Sequence, residues 1–353
     1  MRIVILSPSI DPVGGVEVFS QTLKNVFISY GHDVSIIGRE DIQNKFILKI
    51  SKYFGLAPVA LGYLLGNKAK LGNYDLIITS GLLGWGLKYG NITNIQHGTY
   101  RAAAVRIDKK NPFKFFIRYC VWGYFEGLCA RNANKTFAVS TEAKSFVEKF
   151  YHKDNVGIIP NIVDIDVFKP IIETEKIIER QKYHIPKDHK IIIFVGRYEY
   201  AKGKDVMDSL VQNFDDQTAL LVVDNQVSLN YKNKKIILKE NTTHDEVNGF
   251  YNLADLFILP SLHEGSATVL LEAMASGLPF VISNVGLAQD FKNQNIFTNS
   301  IVDDFNVQNY KKSINYFLNL DKITISEYSL KARQYIVENH SIEIAKNSYK
   351  ILL

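Results

Sequence analysis

The chain of 353 residues is 46% hydrophobic and 22% charged, a balance that excludes a disordered or fibrous protein and leaves room for two domains, each with its own core. Its formal net charge of +5 is uneven: residues 1–170 hold 21 Lys/Arg against 13 Asp/Glu, and the rest hold 20 against 23. Two cysteines, Cys120 and Cys129, make no disulfide framework and no CxxC or Cys/His metal spacing, so a reducing, cytoplasmic setting is expected.

In chain order, the apolar start 3–6 is too short for a signal peptide and runs straight into Ser7-Pro8, so it reads as a strand. A helix over 16–30 follows, then strands over 34–37, 76–79, 92–96 and 136–139. The uncharged run 53–66 falls short of the roughly 20 residues needed to span a bilayer. After a polar connector around 170–190, with Pro170 and Pro186, the rhythm restarts. Strands are expected over 191–195, 219–223, 235–238, 256–259 and 280–283, with helices over 244–253 and 268–276. Strand–helix alternation of this kind predicts α/β architecture: two Rossmann-like domains with parallel sheets, and a ligand cleft at the carboxyl ends of their strands.

Several segments carry candidate chemistry. Gly14 and Gly15 precede the first helix, where backbone N–H groups can approach an anion. No GxGxxG fingerprint is present, which argues against a nicotinamide dehydrogenase. His97 ends the strand 92–96 beside Gly98 and is available for a hydrogen bond or a proton transfer. A histidine that merely satisfies loop carbonyls is the plainer alternative. Arg197 and Lys202 lie in the glycine-flanked loop after 191–195, a planar fork and a point charge suited to a diphosphate. The run 260–279 sets Glu264 in a small-residue loop and Glu272 in an almost wholly apolar helix, where its carboxyl needs a partner. Between them, the backbone N–H groups of Gly265, Ser266, Ala267 and Thr268 are candidates for holding the same ligand. Finally, 101–118 carries Arg101, Arg106, Lys109, Lys110, Lys114 and Arg118 against Asp108, interleaved with Phe113, Phe115 and Phe116. Such a segment suits an anionic membrane surface, or is an ordinary helix with a solvated basic face. No nucleic-acid module accompanies it, so nucleic acid is not an expected partner.

Glu264 and Glu272, with seven residues between them and followed by Ala273-Met274-Ala275, Gly277 and Pro279, resemble the EX7E signature of retaining glycosyltransferases of family four (glycosyl transferases group 1). Gly14-Gly15-Val16-Glu17, Gly31-His32, Pro160-Asn161, Gly196-Arg197, Lys202-Gly203 and Pro260-Ser261 fall in that family's order. Ala267 and Ile162 stand where its members often have Gly. The resemblance implies the GT-B fold, with an acceptor-side domain 1–170, a nucleotide-sugar domain 171–334 and a C-terminal helix about 335–353 packing back on the first.

It also implies roles. Arg197 and Lys202 would hold the diphosphate of a UDP-, GDP- or ADP-sugar. Glu272 would bind the ribose hydroxyls, and Glu264 would contact the sugar with help from the 265–268 amides. His97 would face that sugar, and Gly14 and Gly15 would approach the phosphates. Base contacts are expected from 239–241. Fixed cations that stabilise the leaving group need no metal, so metal independence and no cofactor are expected. Asp164-Ile165-Asp166 is read as non-coordinating. The acceptor would be a glycan or a lipid-linked molecule, met by 101–118 at the inner face of the cell membrane. A catalytically silent accessory subunit, or a sugar isomerase or phosphorylase of the same fold, is the alternative.

Overall fold

The computed structural model describes every residue except 12–13, 44, 88–89, 225–235, 240–241 and 243. Among the described residues twelve strands are formed: β1 Arg2–Leu6, β2 Asp33–Ile37, β3 Leu76–Ser80, β4 Ile92–Gln96, β5 Lys135–Ala138, β6 Gly157–Ile158, β7 Lys190–Val195, β8 Thr218–Val223, β9 Ile236–Lys239, β10 Leu256–Leu259, β11 Phe280–Ser283 and β12 Ile301–Val302. They make two six-stranded sheets, ordered β2-β1-β3-β4-β5-β6 and β12-β11-β10-β7-β8-β9. Every pairing is parallel. The Ile- and Val-rich runs take this form because helices cover both faces. Residues of β3, β4, β10 and β11 are therefore buried throughout rather than alternately.

Each sheet reverses its winding once. The chain steps outward from β1 to β2 and returns to β3 on the other side of β1; in the second sheet it runs from β7 to β8 and β9 and returns to β10 beside β7. In open α/β sheets such reversal points open a crevice at the carboxyl ends of the strands.

Two compact units result. One comprises Met1–Asn161, His263–Ser266 and Ala345–Leu353; the other comprises Ile162–Leu262 and Ala267–Ile344. The change of unit comes before the 170–190 connector because Val163 and Phe168 are buried in the second core. Arg333 Nη1 and Nη2 fasten the same stretch, donating to Phe168 O at 3.0 Å and Ile165 O at 3.2 Å. The C-terminal return is shorter than 335–353. The helix Lys322–His340 packs within the second unit, and only the segment from Ala345 joins the first. There Tyr349 is fully buried and its Oη donates to Pro160 O at 2.8 Å.

Candidate functional site

In the second unit, both loops at the reversal point carry singled-out residues. After β7, Arg197 is exposed and pairs with Glu199 at 3.0 Å. The next residue is pinned: Tyr198 N donates to Oδ2 of Asp224 at 2.8 Å, and Asp224 is buried at the end of β8. Tyr200–Lys202 form one 3-10 turn that stops at Gly203. That glycine has φ +82°, and a Cβ on it would lie 2.1 Å from Pro260 O, so both its conformation and its neighbour exclude a side chain. Ala201 O accepts from Leu262 N at 2.9 Å. The loop after β7 is thus built onto the loop after β10, bringing Lys202 to the latter.

That second loop leads into the helix Thr268–Ala275, capped at its start by Ala267, which has no capping side-chain atom. Glu272 is buried on this helix. Its partner is a hydroxyl, not a cation: Tyr251 Oη donates to Oε2 at 2.9 Å. Burial outweighs that bond and pushes the Glu272 pKa up to about 7. Ser261, also buried, has a hydroxyl with no partner among the described residues. The expected base-contact stretch 239–241 lies outside the described residues at Glu240 and Asn241. Asp164 Oδ1 accepts from the N–H groups of Asp166 and Val167, a local turn cap.

In the first unit, His97 follows β4 with its ring edge-on to Phe19, 4.9 Å between centroids. Its Nε2 is buried without a partner among the described residues, and burial lowers its pKa to about 4, leaving the imidazole neutral near pH 7. The segment 263–266 packs here. A Cβ on Gly265 would lie 1.9 Å from His97 O, so only glycine allows the approach that brings half-buried Glu264 to this part of the unit. Buried Asn161 ties the segment down, donating from Nδ2 to Ser266 O at 2.7 Å. The Ser266 hydroxyl is buried and unpartnered among the described residues.

A cavity of about 780 Å³ opens beside His97 and His263, with Arg39, Lys49 and Lys52 among its lining and Glu126 in its wall. Glu126 is buried; its Oε2 accepts from Tyr100 N at 2.7 Å and from Tyr151 Oη. Burial again prevails, and its pKa rises to about 7. Gly14 caps the helix Gly15–Ser29 without a side-chain bond, and Glu17 of the first turn lies against it: a Cβ on Gly14 would sit 2.6 Å from Glu17 Oε2.

The basic segment divides. Arg101 Nη1 donates to Phe150 O at 2.6 Å and its guanidinium lies over the Tyr119 and Tyr151 rings. Arg106 forms a two-pronged pair with Glu142 at 2.6 and 3.1 Å and lies 3.3 Å from His263 Nδ1. Arg118 pairs with buried Asp108 at 3.1 Å. These three arginines hold the fold together and do not form an open cationic surface; Lys109, Lys110 and Lys114 remain exposed. Asn161, Asp224, Tyr251 and Glu126 complete the two sites; of these the sequence offered only Asn161, through the Pro160-Asn161 resemblance, and a partner for Glu272.

Residues 175–339, which contain Arg197, Lys202, Glu264 and Glu272, match the family of glycosyl transferases group 1. This segment belongs to that family. An uncharacterized glycosyltransferase of Methanocaldococcus jannaschii, MJ1607, is 32% identical over 32% of this chain and 32% of its own length. The UDP-Gal:alpha-D-GlcNAc-diphosphoundecaprenol alpha-1,3-galactosyltransferase of Escherichia coli is 26% identical over 63% of this chain and 60% of its own. The chain thus spans about a third to three fifths of these relatives. Sucrose-phosphate synthase from Thermosynechococcus elongatus has the same fold, with a TM-score of 0.78 and 17% identity over 100% of this chain and 98% of that one. The GT-B architecture therefore holds for the whole chain, beyond the segment matched by the family. Among the described residues no helix is long and apolar enough to cross a membrane.

Proposed function

We propose that this protein is a retaining glycosyltransferase that moves a sugar from a UDP-, GDP- or ADP-sugar to a glycan or lipid-linked acceptor, without a metal, at the cytoplasmic side of the cell membrane. The observation that carries the reading is the reversal point of the second sheet. There the cationic loop 197–202 is built onto the loop that leads into the helix bearing Glu272, buried and paired with the Tyr251 hydroxyl, inside the group 1 match. The Escherichia coli relative, whose name specifies a nucleotide-sugar donor and a lipid diphosphate acceptor, supports the same donor and acceptor classes.

In this reading Glu272 accepts hydrogen bonds from the donor's ribose hydroxyls, and Glu264 with the amides of Gly265–Thr268 contacts the sugar. His97, held neutral, offers a hydrogen bond without adding charge, and Gly14 and Gly15 admit the phosphates closely. As the bond from the anomeric carbon to the diphosphate breaks, negative charge builds on the leaving group, and Arg197 and Lys202 stabilise it. Arg197 gives up its exposed pair with Glu199 for this, a loss of no more than about 1 kcal/mol.

The test is release of nucleoside diphosphate from a panel of nucleotide sugars in the presence of EDTA, with the anomeric configuration of the product read by NMR. Lys202→Ala is expected to lower kcat/KM by roughly 100- to 1000-fold, the usual loss for one group stabilising a developing anion. Full activity in both Lys202→Ala and Glu264→Ala would overturn the site; an inverted product or loss of activity in EDTA would overturn retention or metal independence. A folded protein with no measurable donor binding would instead favour the accessory-subunit alternative.

A further inference from the structure

The first unit leaves an apolar surface uncovered. The helix Lys45–Tyr53 buries Ser51 and half-buries Leu48, and turns nearly everything else outward. Phe46 is 71% exposed, Tyr53 81% and, just past the helix, Phe54 64%, with Ile47 and Ile50 exposed between them. Phe46, Ile50 and Tyr53 recur at i, i+4 and i+7 and so share one stripe. Lys45, Lys49 and Lys52 recur in the same way on the adjoining stripe, and none has an acidic partner among the described residues.

A second patch adjoins it. Phe113 and Phe116 are 69% and 55% exposed on the helix Pro112–Phe116, with exposed Lys109, Lys110 and Lys114 around them. Trp122 Nε1 donates to Gly55 O at 2.8 Å, and a Cβ on Gly55 would lie 3.6 Å from Ile117 Cγ2. Gly55 follows Phe54 and Ile117 follows Phe116, so the two exposed aromatic segments lie next to each other in the first unit, and the two segments together carry six exposed lysines.

We infer that this face docks on an anionic lipid bilayer. Water gives no return for exposing large aromatic side chains, whereas burying each in the interface recovers about 1.5–3 kcal/mol. Each lysine near an anionic leaflet adds about 1 kcal/mol. The mix of aromatic and aliphatic residues beside an unpaired lysine stripe is what an interfacial helix requires. Lys49 and Lys52 belong to the docking face and also line the cavity beside His97, so docking presents the cavity to molecules carried in the leaflet. This last step rests on the transferase reading and makes the acceptor an anionic, lipid-anchored one; the docking itself does not depend on that reading.

Flotation of the full chain with phosphatidylcholine vesicles, with and without phosphatidylglycerol, tests docking without using activity. The protein is expected to float with the phosphatidylglycerol vesicles and to release as salt rises. The pair Phe46→Ser and Phe54→Ser should weaken partitioning at least about tenfold, and Lys45→Gln with Lys49→Gln should flatten the salt dependence. Ile323→Ser, at an exposed apolar position of the second unit, should change nothing. All substituted side chains are exposed, and circular dichroism checks that the variants fold. No flotation on phosphatidylglycerol vesicles, equal flotation on phosphatidylcholine alone, or flotation indifferent to both sets of variants would overturn the inference. A concentration-dependent dimer abolished by Phe46→Ser, without flotation, would assign the face to a second copy instead and likewise overturn it. If the donor panel fails while flotation succeeds, the transferase reading falls and the docking face stands.

Discussion

Glu126 and Glu272 are carboxyls that the fold withdraws from water and satisfies with hydroxyl or amide donors instead of cations. Each is pushed to about 7 by burial. Below the ordinary carboxylate pKa both are protonated in the folded and unfolded chain, and neither makes stability depend on pH. As pH rises from about 4.5 to 7 the unfolded chain releases protons that the folded chain keeps, so stability falls; above about 7 it levels off. The loss is roughly 3 kcal/mol per carboxyl. Glu126→Gln keeps an acceptor for Tyr100 N and Tyr151 while removing the titration. Buried His97, lowered to about 4, adds the opposite slope below about 6.5 in variant and parent alike. Urea unfolding of this variant between pH 5 and 8 should therefore show a shallower decline than the parent chain, by the share that Glu126 contributes. A decline unchanged from the parent would mean that Glu126 is already ionised in the fold.

At the scale of elements, the loop after β7 depends on one residue. Gly203→Ala meets a backbone oxygen that cannot swing aside and a φ that an alanine adopts only under strain. The loop carrying Lys202 should shift, weakening nucleotide-sugar binding about tenfold or more by calorimetry while the circular dichroism spectrum stays the same. Gly249→Ala, in the helix His244–Leu253 with nothing within 4 Å of the new methyl, is the neutral control. Undiminished binding in Gly203→Ala would separate the loop from the donor site. The same elements show what the sequence made legible. Unbroken apolar runs such as β7 and β10, and the helix between Thr268 and Gly277, were readable because they are buried on both faces. The two-residue edges β6 and β12 were too short to leave a pattern. The helix Lys45–Tyr53 escaped because its apolar stripe faces water, so it does not mark a core. Arg101, Arg106 and Arg118 counted as one charge cluster along the chain. Their partners Phe150, Glu142 and Asp108 lie 49, 36 and 10 residues away, and only the fold brings the distant ones near.

For the whole molecule, the C-terminus decides how the first unit is closed. Tyr349 is fully buried; its ring lies 5.6 Å from Phe19, whose own ring lies 4.9 Å from His97, and its hydroxyl holds Pro160 O. A tyrosine more than three hundred residues from β1 thus supports the packing behind the imidazole. Tyr349→Ala should cost the first unit about 3–5 kcal/mol, as large aromatic truncations do. The chain supplies its own reporter: both tryptophans, Trp85 and Trp122, lie in the first unit, whereas helix and strand signal comes from both. If each unit unfolds on its own core, tryptophan fluorescence should show a midpoint lowered by roughly 10 °C. The part of the far-ultraviolet circular dichroism transition due to the second unit should stay where it was. A common shift in both signals would mean instead that the two cores unfold as one cooperative body. The chain segment returning at Ala345 would then stabilise the whole molecule and not the first unit alone.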